Sequence, residues 1–207
     1  MKITNLEKSV GNFKLEIEHL DIKQGMIHGI IGHNGCGKSV LLKLIMGIME
    51  KDSGIIDYEG MSLNKVTLMN QRPYLLHDTV YNNVVYPLKI RGITPDEKKI
   101  DKLLDKVDML PLKKQYARSL SSGERQKLSF LRAIVFEPEF IMMDETLSNL
   151  DPDSEQVIVD MIKEIQTIKP KTWVIVSHQL ERHEGLCDVI HKMEKGKYCG
   201  IIKGRYN

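Results

Sequence analysis

Two apolar runs, residues 26–31 and the stretch that begins at Val40, flank the segment Gly32-His33-Asn34-Gly35-Cys36-Gly37-Lys38-Ser39. This G-x-x-x-x-G-K-[ST] spacing constrains the chain more than any other feature. Its glycines let backbone N–H groups turn inward around a phosphate chain, at the positive end of the helix that follows. Lys38 is then placed to reach the β- and γ-phosphates, and the Ser39 hydroxyl to bind Mg²⁺. A strand before the loop and a helix after it supply the context that the motif requires. The binding set for a nucleoside triphosphate is Gly32, His33, Asn34, Gly35, Cys36, Gly37, Lys38, Ser39 and Val40. Cys36 lies inside the loop, with Lys38 and the loop amides placed to favour its thiolate.

A second acidic element follows. Residues 139–143 form an apolar run that ends in Asp144-Glu145. A strand there delivers Asp144 to its C-terminal end as a metal carboxylate, with Glu145 one residue further on to polarise an attacking water.

Elsewhere the apolar periodicity changes along the chain. Phe13, Leu15 and Ile17 alternate with charged residues, the pattern of a half-buried strand, and residues 55–58 read as another. Thr94-Pro95-Asp96-Glu97 reads as a helix start, with Thr94 as cap, Pro95 in the first helical position and Glu97 closing a capping box. Ile100, Leu103, Leu104 and Val107 continue that helix. Another helix follows Ser121-Ser122-Gly123 and stops before Pro138. Asp151-Pro152 opens a third, and residues 173–176 form a buried strand. The fold class is therefore α/β: a P-loop core with a mostly parallel sheet, an N-terminal antiparallel β-lobe, and a helical lobe inserted at roughly 75–135. Residues 1–207 read as one domain.

Composition removes other classes. A net charge of +2 makes no electrostatic case for nucleic acid. No apolar run is long enough to span a membrane, and the opening residues are too evenly charged for a secretory signal. Three scattered cysteines suit a reducing compartment. His183 and Glu184 lack ligand spacing for a metal and read as a surface helix.

Leu120-Ser121-Ser122-Gly123-Glu124-Arg125-Gln126 narrows the field further, because it resembles the LSGGQ signature of ABC ATPases. Gln71 stands at the Q-loop position of that family. Ser148-Asn149-Leu150-Asp151 resembles its D-loop, and Val176-Ser177-His178 its switch histidine. The resemblance covers nearly the whole chain and implies an ATPase that closes as a head-to-tail dimer, most simply a homodimer. It implies that Ser121, Ser122, Gly123 and Glu124 meet the ATP of the partner copy. It gives Glu145, His178 and Gln71 the catalytic roles, and Ser39, Gln71 and Asp144 the metal. Ser122 and Glu124 depart from the usual Gly and Gln, while Ser121 and Gly123 are kept. Val10 stands where the family usually stacks an aromatic under adenine, and Phe13 is the nearest aromatic.

The same resemblance implies a peripheral subunit on the cytoplasmic face of the membrane. It would be partnered by an integral-membrane permease and, through it, by an extracytoplasmic solute-binding protein. Tyr74, Leu76 and Tyr86 are the candidate permease contacts, on stretches 72–76 and 79–84 that read as exposed loops. The run from Gln71 through Gly92 looks most like oxyanion importers of the tungstate, molybdate or phosphate type. Exporter or lipoprotein-release ATPases and soluble cluster-assembly ATPases are the alternatives. Too few residues separate Gln71 from Leu120 for the long coiled coil of chromosome-type members.

Overall fold

In chain order the strands and helices are β1 (Lys2–Val10), β2 (Phe13–Asp21), β3 (Ile27–Ile31), α1 (Lys38–Ile45), β4 (Ser53–Asp57) and β5 (Val66–Met69). Three helices follow, α2 (Val80–Lys89), α3 (Glu97–Asp105) and α4 (Ser122–Ile134). The chain then returns through β6 (Phe140–Asp144), α5 (Pro152–Ile168), β7 (Thr172–Val176), β8 (Val189–Glu194) and β9 (Lys197–Gly204). This computed structural model describes residues 1–148, 150–177 and 185–204. Asn149, His178, His183 and Glu184 lie outside the described residues.

The strands form one sheet in the order β4-β1-β2-β9-β8-β3-β7-β6-β5. From β8 to β5 every neighbouring pair is parallel, as expected of strands joined by helical crossovers. Successive strand residues point to opposite faces, and on β6 and β7 both faces are buried. Phe140 and Met142 of β6, with Val174 and Val176 of β7, join the core beneath α1. Ile141 and Met143, with Trp173 and Ile175, join the core beneath α2, α4 and α5. Continuous apolar runs in these strands are the imprint of helices on both faces.

The N-terminal antiparallel strands form the expected β-lobe as one end of the same sheet. β1 pairs antiparallel with both β2 and β4, and β2 joins the rest of the sheet through a parallel pairing with β9 at Glu16 and Lys197. β9 in turn runs antiparallel to β8, so a single curled mixed sheet carries both parts. Nothing in the sequence of β9 announces this junction, because most of its side chains are exposed.

Two local expectations are corrected. Asp96, not Thr94, caps α3: its carboxylate accepts the Lys99 backbone N–H at 3.2 Å. Pro95 holds the residue before it away from helical geometry, so the helix starts later. Residues 80–89 form α2 rather than an exposed loop, capped by the Thr79 hydroxyl, which accepts the Asn82 N–H at 3.2 Å. Fully buried Asn83 ties that helix back to its approach segment through both the N–H and the carbonyl of Leu76. Tyr74 and Tyr86 remain exposed on this surface, and Leu76 is half-buried.

Candidate functional site

The helix following the glycine-rich loop differs from the others in how it begins. The helices α2, α3, α4 and α5 are each capped by a side chain, from Thr79, Asp96, Ser121 and Asp151 respectively. α1 has no side-chain cap and no acidic residue in its first turn. Its cap residue is Gly37 in a left-handed conformation, φ 106°. A Cβ there would lie 2.9 Å from both Phe13 and Leu15 side chains, so glycine is needed for backbone angle and for space. The uncommitted N–H groups of the first turn are thus left for an anion.

The cleft above this turn has a volume of about 490 Å³ and is bounded by Asn34, Gly35 and Gly37 to Val40 of the loop, by Gln71, and by Asp144 and Glu145. Lys38 is 5% exposed, and its ammonium donates to the Gly32 carbonyl at 2.6 Å and the His33 carbonyl at 3.2 Å. Its Nζ also lies 3.8 Å from Glu145 Oε1. Glu145 adopts a left-handed φ of 50°, and its N–H donates to the Val176 carbonyl at 2.9 Å. That turn at the end of β6 aims the carboxylate across the cleft rather than along the strand.

Asp144 stands opposite Ser39. Burial pushes its carboxyl up, and the charge of Glu145 pushes the same way, against a hydrogen bond from the Ser39 hydroxyl and the charge of Lys38. Its Oδ1 is buried with no hydrogen-bond partner among the described residues. A buried, under-satisfied carboxylate oxygen beside a hydroxyl fits a Mg²⁺ ion, which takes oxygen ligands and few carboxylates. Ser39 and Asp144 are the residues that can hold it.

Other residues singled out in the sequence fall in different places. His33 is exposed and contributes its carbonyl to Lys38. The Cys36 thiol points into the core, 4% exposed, so this residue can reach a phosphate only through its backbone. Ser121, Ser122, Gly123 and Glu124 begin α4 and do not line the cleft of their own chain. Ser121 and Glu124 form a reciprocal capping box: the Ser121 hydroxyl accepts the Glu124 N–H at 3.3 Å, and the Glu124 carboxylate accepts the Ser121 N–H at 2.8 Å. A Cβ on Gly123 would come within 2.8 Å of Asp151 and Ser154 at the start of α5. Val10 and Phe13 both line the cleft, Val10 more openly at 43% exposure.

Gln126 was not foreseen as a site residue. Buried on α4, it donates to the Thr146 carbonyl at 3.0 Å and the Gln71 carbonyl at 3.5 Å, joining the signature helix to two walls of the cleft. An amide on the apolar face of an amphipathic helix was the available signal.

Comparison with known proteins agrees with this geometry. The family described as ABC transporter matches residues 15–148. The tungstate uptake system ATP-binding protein TupC of Peptoclostridium acidaminophilum is 33% identical over 202 residues, 94% of each chain. The methionine import ATP-binding protein MetN of Clostridium acetobutylicum is 31% identical over 95% of this chain, which spans 66% of that protein. A solved ATP-binding subunit of an ABC transporter superposes with a TM-score of 0.88 at 22% identity, over 98% of this chain and 89% of that one. The cbiO1 protein of Clostridium perfringens superposes with a TM-score of 0.80 at 24% identity, over 97% and 86%. The chain belongs to the ABC transporter family, as an ATP-binding ATPase of the kind that is coupled to transport.

Proposed function

We propose that this chain is the ATP-hydrolysing subunit of an importer for a small oxyanion of the tungstate class, acting as a head-to-tail dimer beneath a separate membrane permease. The observation that carries the ATPase part is the convergence of Lys38, Ser39, Asp144 and Glu145 on an uncapped helix N-terminus. The import part rests on the tungstate and methionine uptake ATPases among its relatives. The oxyanion part rests on likeness to the tungstate protein across nearly the whole of both chains. No helix among the described residues is long and apolar enough to cross a membrane. By likeness to the uptake ATPases among its relatives, the proposed permease is a different chain and this one would sit peripherally at the cytoplasmic face.

In this reading the loop amides and Lys38 hold the β- and γ-phosphates of ATP. Ser39 and Asp144, with Gln71 nearby, would hold Mg²⁺, which when bound would supply charge neutralisation at the phosphate oxygens. Glu145 accepts a proton from water as its oxygen attacks the γ-phosphorus, and the bond to the bridging oxygen breaks to release ADP and phosphate. The partner's Ser121, Ser122, Gly123 and Glu124 close the site from the other side, with His178 as the third catalytic residue. For this to happen the Ser121–Glu124 capping box must share its N–H with phosphate or open. Movement of the Gln71 segment, which Gln126 ties to α4, carries closure to the permease surface at Tyr74, Leu76 and Tyr86. A solute-binding protein delivers cargo on the other side of the membrane.

Uptake tests the cargo. Cells whose copy carries Lys38→Met should lose high-affinity tungstate accumulation and keep methionine uptake. The reverse pattern would assign methionine instead. Pulling tagged Glu145→Gln protein from native membranes with ATP should bring down an integral-membrane permease. Recovery of a soluble cluster-assembly scaffold alone would contradict the transporter reading.

A further inference from the structure

A second cleft, of about 300 Å³, opens between α3 and α5. Its floor is apolar, formed by Ile141, Trp173 and Met161, all at most 5% exposed. Ile168 stands at its mouth, 74% exposed. This volume is at the small end of ligand pockets, which are largely apolar with a few placed polar groups.

The charges around it are unequal. Lys99, Lys106, Lys169 and Lys171 line the cleft against only Glu137 and Glu164. Glu137 is engaged by Lys99 and by Lys169, and Glu164 by Lys106. Lys171 is left over. Its side chain is 7% exposed, and its ammonium has one hydrogen bond, to the Glu137 carbonyl at 3.4 Å, with no carboxylate in ion-pair range among the described residues. An ammonium has three donors, and a buried cation costs free energy until it is paired. Burial, followed by the charge of Lys169, lowers the Lys171 pKa, against the opposing pull of the Glu137 and Glu139 charges. Neighbouring Gln166 cannot relieve it, because its carbonyl oxygen already accepts from the Trp173 indole at 3.1 Å and the Lys171 backbone N–H at 3.0 Å.

We propose that this cleft is a binding site for a small monoanion with an apolar tail, a medium-chain carboxylate in chemical class. The tail would lie along Leu103, Ile165 and Ile168, above the layer that holds Ile141 and Trp173, and the carboxylate would pair with Lys171. One unpaired ammonium above an apolar floor matches a single negative charge better than a phosphate or a dianion. The site is independent of the ATP cleft, because none of its lining residues is shared with it.

Trp173 is the chain's one tryptophan, so its fluorescence reports the site directly. Titrating the intact protein with octanoate, below its micelle-forming range, should give a saturable change. Binding should be about tenfold or more tighter than that of 1-octanol, the margin of one charge-assisted hydrogen bond. Lys171→Met should bring octanoate down to the level of octanol. Ile168→Glu, at an exposed position that does not threaten folding, should weaken octanoate severalfold and leave octanol unchanged. Equal binding of the two ligands, an unsaturable response to octanoate, or an octanoate response indifferent to a glutamate at position 168 would overturn the proposal.

Discussion

Lys38 Nζ and Glu145 Oε1 stand 3.8 Å apart across the floor of the ATP cleft, both side chains largely buried. The cation proposed to hold phosphate and the carboxylate proposed to activate water face each other, and Lys38 also donates to two loop carbonyls. Under the proposed function, phosphate draws the ammonium off these partners, and binding and readiness for catalysis are linked through one side chain.

Replacing that cation tests the link. Lys38→Met should lower turnover by about 10²–10³, the usual loss when one preorganised electrostatic group is removed from a reacting oxygen. ATP affinity should fall as well. Steady-state phosphate release together with a fluorescent-nucleotide titration measures both, and unchanged affinity would remove Lys38 from the binding set.

The base-binding edge of the cleft makes a second prediction. Val10 is open to the cleft, whereas Phe13 packs against the loop close to Gly37. Val10→Tyr supplies an exposed ring for stacking, worth about 0.5–1.5 kcal/mol. ATP should bind roughly 2–10-fold tighter by isothermal titration. No gain would mean that the base lies elsewhere.

A buried polar chain links β3 to β8 and β9 and sets an acid limit on stability. His28 Nδ1 meets His191 Nε2 at 2.9 Å, His28 Nε2 meets the Lys23 carbonyl at 3.0 Å, and His191 Nδ1 meets the Tyr198 hydroxyl at 3.1 Å. Burial holds His28 below the ordinary imidazole range and His191 down at about 4. The unfolded chain takes up protons near pH 6.5 while the folded chain stays neutral, so stability falls as pH drops from about 6.5 toward 4. The loss attributable to His191 is about 3 kcal/mol at most. Urea midpoints should decline across that window, and His191→Phe should flatten the decline. An identical pH slope in that variant would contradict the assignment.

What the sequence made legible was chemistry at short, fixed spacing. The loop from Gly32 to Ser39, the Asp144-Glu145 pair and the Ser121 start of α4 all appear where their local patterns require. Long-range placement was legible only through resemblance. Val10 and Phe13, named for the base-binding edge on that ground, reach the cleft because β2 is joined to β9, a pairing without a local sequence signal. Local competition misled as well: Thr94 and Asp96 are both good caps, and Pro95 decided between them. Gln126 and Lys171 take their meaning from segments 20 or more residues away, at Thr146 and at Glu137.

The most direct test of the account is Glu145→Gln with ATP and Mg²⁺, read by phosphate release and by light scattering on the same sample. The amide keeps the shape of the side chain and cannot take up the proton. Hydrolysis should fall by about 10²–10⁴, while ATP holds two copies together as a dimer that dissociates when the nucleotide is removed. Near-normal hydrolysis, or a chain that remains monomeric with ATP bound, would contradict the central claim that Glu145 activates water in a site closed by a second copy.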